Sequence, residues 1–458
     1  MWVLMMGARV FRRSWVPVGV SLEGGGFPIA TIAIIAINSV LYLLTSYKNM
    51  LLSINSDALW TYGYIPAYLY TAPENGILRI FTSMFLHADP LHIFFNMYFL
   101  YIFGRGVEGV LGVGRYLALY LLSGVWASLL HTASVGFQGV ASISIPAVGA
   151  SGAISGILGA FLVLYPRTPL SMCFFYIFIP ICGTFRASTF LLFWFAIQVI
   201  YGYLRLGGIA FLAHAGGFIA GMALTWLLGG GVIARLKQFS APSWNILGIL
   251  GEEGIGGAQK AVLAGVLISI IAMGFYSYVS GSSIDRLQLT YVVSVRISSS
   301  EKDPPYSLSV ATLSIRDISD FTMSPIADDA SRILINRLVA SGVLFNPQMS
   351  NKEGSISGSY SVSIYGVRVP FTISARASYD GNGVLAEARG SASTASVICS
   401  GSTCARGDTI SYPWFDLRSL GPIQMVKLIE TPLLLSIAIT ILGLYVIIAR
   451  DRELSLGV

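Results

Sequence analysis

The chain has 458 residues, of which 55% are hydrophobic and only 11% are charged, with 28 Lys and Arg against 22 Asp and Glu. Soluble domains carry roughly 25% charged residues, so this composition excludes an ordinary soluble protein and places most of the chain in lipid. No Lys/Arg-rich run with interleaved aromatic residues occurs. The positive balance therefore predicts basic loops of a membrane protein and argues against a nucleic-acid partner.

Eight segments are apolar enough to cross a lipid bilayer, which takes about 20 mainly apolar residues. They are residues 28–46, 91–112, 115–133, 149–165, 188–204, 209–229, 261–280 and 431–449. A further apolar run, 171–186, is interrupted by Pro180 and Gly183, which favours a loop or an interfacial segment. The sequence predicts an α-helical polytopic membrane protein with six helices at 28–229 and two extra transmembrane helices after them.

The basic residues of the short loops predict the orientation of these helices. If the N-terminus at 1–27 is cytoplasmic, twelve Lys and Arg residues lie on the inner side, where the loop 230–260 and the tail 450–458 also lie. The short outer loops receive only three, which are Lys48, Arg79 and Arg205. We expect a multi-pass protein of the plasma membrane with its N-terminus in the cytoplasm.

The segment 283–428 differs from the rest of the chain because it holds 13 of the Lys and Arg and 12 of the Asp and Glu residues. Alternating polar and apolar residues at 360–364 and 367–375 predict strands, and one helix is predicted at about 325–341. This topology predicts an extracytoplasmic, β-rich α+β domain between the two extra transmembrane helices. Cys399 and Cys404 could form a disulfide on that oxidising face, and two free thiols are the alternative.

Polar groups inside apolar segments are candidates for function, because they are costly in lipid and need partners. His92 and Asn96 are four residues apart and would share one face of a helix. A hydrogen bond between two helices explains such a pair as well as a chemical role does. Arg105 and Glu108, three apart at the inner boundary, are predicted to form a local pair.

Small residues recur in VGASGAISGILGA (148–160) and in IAFLAHAGGFIAGM (209–222). Such spacings allow close approach of two helix backbones, and the glycines concerned are Gly152, Gly156, Gly217 and Gly221. Packing these two faces together would bring Ser151 and His214 into contact.

Taken alone, Ser151 is explained by helix packing, but a nearby histidine makes it a candidate nucleophile. A serine hydroxyl attacks poorly until a base such as His214 takes its proton. The oxyanion that then develops needs hydrogen-bond donors, which His92, Asn96 and the backbone N–H of Ser151 could supply.

The sequence resembles the rhomboid intramembrane serine proteases in several motifs. GASG at 149–152, HIFFN at 92–96 and AHAGG at 213–217 correspond to the motifs of that family. RIFTSMFLHADPLHIFFNM at 79–97 and GVEGVLGVGRY at 106–116 match its pattern in order and spacing. The resemblance covers about residues 28–229. It implies a rhomboid-like six-helix protease core and peptide hydrolysis by a Ser–His dyad, without a triad acid, a metal or a cofactor.

Residue by residue, the resemblance implies that Ser151 is the nucleophile and His214 the general base. It implies that His92 and Asn96 stabilise the oxyanion and that Gly149 allows a tight approach around the nucleophile.

The chain departs from the family pattern at two positions. The aromatic residue that often stacks on the catalytic imidazole, four positions after the serine, is Ser155 here, so the positioning of His214 must come from elsewhere. The Trp–Arg pair of the first loop is Leu78–Arg79, and the retained Arg79 implies a structural, hydrogen-bonding role in that loop.

These observations predict an intramembrane serine endopeptidase whose partners are transmembrane protein substrates and the lipid bilayer. An alternative is a non-cleaving rhomboid-like protein that binds transmembrane clients; loss of Ser151 or His214 would mark that class, and both are present. A channel or transporter with a polar path is a third hypothesis, but no inverted repeat with paired broken spans is evident. The outer domain could recruit substrates or control their access, or serve as a separate binding domain, and its partner is unknown.

Overall fold

The computed structural model describes residues 27–176, 179–206, 209–240, 254–302, 307–315, 321–322, 329–400 and 403–456. Nearly all of the predicted cytoplasmic N-terminus at 1–27 lies outside these residues, as do 241–253 of the predicted loop 230–260. Within the described residues, the chain forms a helical core, a sheet domain and two long helices that flank the sheet domain.

In its described residues, the helical core comprises nine α-helices and a short β-hairpin. The helices are α1 (Ile29–Ser46), α2 (Ser56–Tyr62), α3 (Tyr68–Thr71), α4 (Pro73–Ser83), α5 (Pro90–Ala133), α6 (Val135–Gln138), α7 (Ser151–Leu164), α8 (Ala187–Tyr203) and α9 (Phe211–Ser240). Gly112 interrupts α5 with a φ of 73°, so its two halves correspond to the predicted segments 91–112 and 115–133. Helix α7 lies at the centre, and every side chain from Ala153 to Leu164 is buried.

The flanking helices are α10 (Gly257–Leu287) and α12 (Met425–Tyr445), and a turn of π-helix joins α12 to α13 (Asp451–Leu454). By length and composition, α1, α5, α9, α10 and the α12–α13 segment could each cross a membrane, and α7 and α8 are shorter apolar helices. The protein is thus a polytopic helical membrane protein. The count of eight spans and the exact domain boundaries stay predictions.

Of the two alternatives predicted for 171–186, the irregular loop is wrong, and an interfacial location stays a prediction. The chain there forms an antiparallel hairpin of β1 (Pro169–Tyr176) and β2 (Ile179–Arg186). Pro180 pairs in register with Phe175. Proline has no N–H to donate, but in a two-stranded ribbon both strands are edges, so one side of each strand needs no ladder partner.

The predicted local pair of Arg105 and Glu108 is also wrong. Buried Glu108 instead caps the N-terminus of α1, where its carboxylate accepts hydrogen bonds from Ala30 N and Thr31 N, both at 2.8 Å, and from Thr31 Oγ1 at 2.6 Å. The first N–H groups of a helix have no partners within the helix and carry partial positive charge, which favours this pairing. Arg105 lies over the ring of Tyr101, 5.2 Å from its centroid.

The sheet domain, where the structure describes it, contains seven antiparallel strands in the order β5-β4-β3-β9-β8-β7-β6. These are β3 (Leu289–Ser298), β4 (Ser307–Ile315), β5 (Phe321–Thr322), β6 (Glu353–Ile364), β7 (Val367–Tyr379), β8 (Leu385–Ser400) and β9 (Thr403–Ile423). Helix α11 (Asp329–Ala340) buries Leu334, Ile335 and Leu338 in the core of this domain. Residues 325–328 of the helix predicted at 325–341 lie outside the described part of the chain. Cys399 and Cys404 form a disulfide at the β8–β9 turn.

The sheet domain is attached to the helical core at several points. Asp285, near the end of α10, accepts hydrogen bonds from Met425 N at 2.7 Å and Val426 N at 2.9 Å at the start of α12, so it ties the two flanking helices together where the sheet begins and ends. Thr312 of β4 donates to Ser144 Oγ at 2.7 Å, in the segment that leads to α7. The sheet domain therefore contacts the helical core at the end where α7 begins.

The opposite end of α7 is held by the C-terminal segment. Leu456 N donates to Leu164 O, at the last residue of α7, over 2.8 Å. Asp451 fixes this segment, since it forms an ion pair with Lys260 at 2.6 Å and accepts a hydrogen bond from Ile255 N at 3.0 Å.

Candidate active site

Close packing of α7 against α9 brings two of the predicted site residues together. A Cβ atom on Gly217 would collide with the carbonyl oxygen of Gly152, and one on Gly221 would collide with that of Gly156. The obstacle in each case is backbone, which cannot rotate away as a side chain can. Only glycine at these positions allows the two helices to approach so closely.

Ser151 and His214 lie in hydrogen-bond contact as a result. Ser151 is the first residue of α7, and His214 lies in the first turn of α9. Nε2 of His214 is 2.7 Å from Oγ of Ser151. This is the geometry in which an imidazole can remove the hydroxyl proton.

Two residues of α8 that sequence reasoning missed also contact His214. Oε1 of Gln198 is 2.7 Å from Nδ1 of His214. The ring of Trp194 lies 6.2 Å from the imidazole, with 28° between the two planes. A signal for Gln198 was available in the sequence, because it is the only amide in the apolar run LLFWFAIQVIYGY.

Gly149 brings the imidazole of His92 next to the nucleophile. Its φ of 128° is one that residues with a side chain rarely adopt. A Cβ atom here would be 2.7 Å from Nε2 of His92 and 3.4 Å from Oγ of Ser151. The His92 ring therefore occupies the space that any other residue at 149 would fill.

The hydrogen bonds of His92 determine which of its nitrogens can donate towards Ser151. Ala88 N–H donates to Nδ1 of His92 at 3.3 Å, so in the neutral imidazole the proton is on Nε2. Asp89 accepts a hydrogen bond from the backbone N–H of His92 at 2.8 Å and so caps α5. Nε2 of His92 is thus a donor directed at the site.

Asn96 lies one helical turn after His92. One N–H of its amide donates to the carbonyl oxygen of His92 at 2.8 Å, which leaves the other N–H available. The backbone N–H of Ser151 lies at the helix N-terminus, where it has no partner within α7. These donors and the positive end of the helix favour negative charge next to Ser151.

A cavity of about 1270 Å³ gives access to these groups. Ser151, His214, His92 and Asn96 all line it, and most of its wall is apolar. A cavity of this size can accept a segment of polypeptide next to Ser151.

Arg79 and Ser155 form hydrogen bonds that hold neighbouring segments in place. Arg79 is buried and donates to Trp60 O at 2.7 Å, to Gly63 O at 3.0 Å and to Asn75 Oδ1 at 2.9 Å, so it connects the loop that follows α2 to α4. Ser155 donates to the carbonyl oxygen of Ser151 at 2.6 Å and contributes no aromatic surface to His214.

Comparison with known proteins relates part of the chain to the rhomboid family. Residues 74–231 match the family model of the Rhomboid domain. The chain is 31% identical to Rhomboid protein 1, mitochondrial, of Saccharomyces cerevisiae over 33% of this chain and 42% of that protein. It is 28% identical to Rhomboid protease GluP of Bacillus subtilis over 55% of this chain and 41% of that protein. It is 32% identical to Rhomboid-type serine protease 2 of Emericella nidulans over 32% of this chain and 26% of that protein. The chain spans less than half the length of each of these three relatives.

Proposed function

Because the chain belongs to the rhomboid family through its residues 74–231, we propose that it is an intramembrane serine endopeptidase. It cuts peptide bonds in or next to transmembrane segments of other proteins. The observation that carries this proposal is the 2.7 Å contact between Nε2 of His214 and Oγ of Ser151. This contact lies at the N-terminus of α7 and lines an accessible cavity. Relatives that are named as proteases support the activity at the level of the family.

In the proposed mechanism, His214 acts as base and then as acid. Its Nε2 takes the proton from Oγ of Ser151 while Oγ bonds to the substrate carbonyl carbon. The resulting imidazolium gives that proton to the leaving amine as the peptide C–N bond breaks, and an ester on Ser151 remains. Water then attacks the ester, with its proton passing through His214, and both side chains return to their starting state.

The oxyanion formed in each half-reaction lies next to three donors. They are Nε2–H of His92, the second N–H of the Asn96 amide and the backbone N–H of Ser151. Fixed donors stabilise such a charge strongly, and loss of one commonly costs about 10²- to 10³-fold in kcat.

The substrates of this activity are membrane-spanning segments. A helix hides its peptide carbonyls in its own hydrogen bonds, so the segment must unwind locally before Ser151 can attack. We expect cleavage near small or helix-destabilising residues, where unwinding costs least.

A reporter transmembrane peptide tests the function. Purified wild-type protein cleaves it, whereas Ser151→Ala and His214→Ala do not. Ser155→Ala is the matched control, because it removes a serine hydroxyl one turn further along the same helix and is expected to retain cleavage. Equal cleavage by wild type and Ser151→Ala would contradict the proposal.

Labelling by a fluorophosphonate separates the protease from a protein of the same fold that only binds transmembrane clients. An activated serine reacts with this reagent, so wild type is labelled and Ser151→Ala is not. Identical labelling of the two proteins would favour the non-cleaving alternative.

We further propose that the N-terminus is cytoplasmic and that the sheet domain lies on the outer face of the plasma membrane. The bias of loop Lys and Arg residues supports this orientation. The contact of Thr312 with Ser144 places the sheet domain at the end of the helical core where α7 begins. Accessibility of single cysteines introduced into 289–423 measures the sidedness, and labelling from the cytoplasmic side alone would overturn it.

A further inference from the structure

We propose that Gln198 is a positioning residue that holds His214 in the tautomer and orientation of a base, with Trp194 fixing the plane of its ring. This inference rests on the proposed function of Ser151 and His214. Nothing in the resemblance or in the comparisons assigns a role to either residue of α8.

The hydrogen bond from His214 to Gln198 decides which ring nitrogen carries the proton. An amide oxygen only accepts hydrogen bonds, so Oε1 of Gln198 at 2.7 Å requires a proton on Nδ1 of His214. In the neutral ring, Nε2 then presents its lone pair to Oγ of Ser151, also at 2.7 Å. If the amide were reversed, its NH₂ group would donate to Nδ1, and the proton would move to Nε2, which could then accept nothing from Ser151. Only the acceptor orientation yields a base.

Trp194 restricts the same ring by contact with its face. Trp194 and Gln198 are four residues apart on α8, so they lie on one face of the helix. The near-parallel indole limits tilting of the imidazole, and Phe211 meets it edge-on at 6.5 Å. Besides its contact with Ser151 of α7, the ring is thus held by one hydrogen bond and two aromatic contacts, none of which comes from α7.

The cost of burying an amide supports a specific role for Gln198. Its side chain is 8% exposed in an apolar helix, where an unpartnered amide is unfavourable. Its oxygen bonds to the one residue that must be oriented for proton transfer. An aliphatic side chain would fill the same space without providing that bond.

The test compares three substitutions in purified full-length protein. Gln198→Leu removes the acceptor, and Gln198→Glu replaces it with a charged acceptor of nearly the same shape. Gln259→Leu is the matched control, because Gln259 of α10 also contacts α8, through Thr189 at 3.3 Å, but lies away from the cavity. Thermal unfolding is measured for each variant.

We expect Gln198→Leu to lower kcat by about 10- to 100-fold with KM changed less than about twofold, because base catalysis is impaired and substrate binding is not. Gln259→Leu leaves both constants unchanged. In Gln198→Glu the carboxylate stabilises the imidazolium, so the acidic limb of the pH–rate profile moves to higher pH, and in Gln198→Leu it moves to lower pH. Among the residues that the structure describes, the other titratable groups that act on His214 are His92 and His131, and both are intact in these variants.

Unchanged kcat and an unchanged acidic limb in both Gln198 variants would overturn the inference, as would a loss confined to KM. If Gln198→Leu unfolds, ¹⁵N NMR spectra of the four histidines are recorded in Gln198→Glu instead. There the inference requires a protonated Nδ1 on His214, and a proton on Nε2 alone refutes it. Failure of the proposed function gives a different result, since wild type and Ser151→Ala would then react equally with the fluorophosphonate.

Discussion

Polar side chains are arranged differently in the helical core and in the sheet domain. In the helical core, buried Glu108 bonds to the start of α1 and buried Gln198 bonds to His214, so each side chain joins two helices. In the sheet domain, ion pairs such as Arg418–Glu387 are half exposed. One charge or amide therefore contributes far more to the free energy of unfolding in the helical core, because lipid and packed helices offer it no substitute partner.

The sharpest test of this difference makes the same substitution in both regions. We expect Glu108→Gln to lower the free energy of unfolding by about 3 kcal/mol, because three charge-assisted hydrogen bonds at the start of α1 are weakened. Glu387→Gln, where the side chain is 54% exposed, should change it by less than about 0.5 kcal/mol. Unfolding in detergent micelles measures both, and equal losses would contradict the comparison.

A second prediction concerns the close contact of α7 and α9. Gly217→Ala places a methyl group against the carbonyl of Gly152, so the helices must separate. We expect a loss of about 1–3 kcal/mol in stability and at least about a tenfold fall in fluorophosphonate labelling, as Ser151 and His214 move apart. The matched control is Gly265→Ala on α10, where an added Cβ meets open space and stability should hold or rise slightly. Unimpaired labelling of Gly217→Ala would show that the site tolerates separation of the helices.

A third prediction addresses the junction between the two regions. Thr312→Val removes the buried hydrogen bond to Ser144 and should cost about 1 kcal/mol. We expect a few-fold change in the rate of fluorophosphonate labelling, because Ser144 belongs to the segment that leads to Gly149 and Ser151.

Thr372→Val is the control for this substitution, since Thr372 bonds to Ser393 on the exposed face of the sheet. It should leave the labelling rate unchanged. If Thr312→Val also leaves it unchanged, the sheet domain and the site are independent.

The smallest expected effect lies within the sheet domain and depends on pH. Burial raises the pKa of Tyr379 from 10.0 to about 12, and its hydroxyl donates to Val343 O at 2.8 Å. The neutral hydroxyl is therefore favoured in the folded state. The stability it contributes is fully present below pH 10 and is lost as pH rises towards 12.

Tyr379→Phe should cost about 0.5–1 kcal/mol at neutral pH and should lessen this alkaline loss. Unfolding of wild type and variant between pH 8 and pH 12 provides the measurement. The same slope with pH in both proteins would show that another group is responsible.

The site residues that could be predicted from the sequence are those whose pattern lies within one short stretch of the chain. The spacing of His92 and Asn96 and the glycines of the two small-residue segments are visible along one helix, and the structure brings them to one site. The partners of Gln198 and Glu108 could not be predicted, because they depend on which helices become neighbours. The hairpin at 169–186 was missed because an internal proline was taken to break regular structure, although an edge strand tolerates it. Sequence periodicity shows which face of an element is apolar but not which element will cover it.

The hydrogen bond from Leu456 to the end of α7 has a consequence for biosynthesis. Ser151 begins α7, but the last carbonyl of that helix finds this partner only in a segment translated after the whole sheet domain and α12. During synthesis, a chain that has completed residues 74–231 still lacks this cap. The nucleophile helix thus reaches its final form only after α12 and α13 have been translated, well after residues 74–231 are complete.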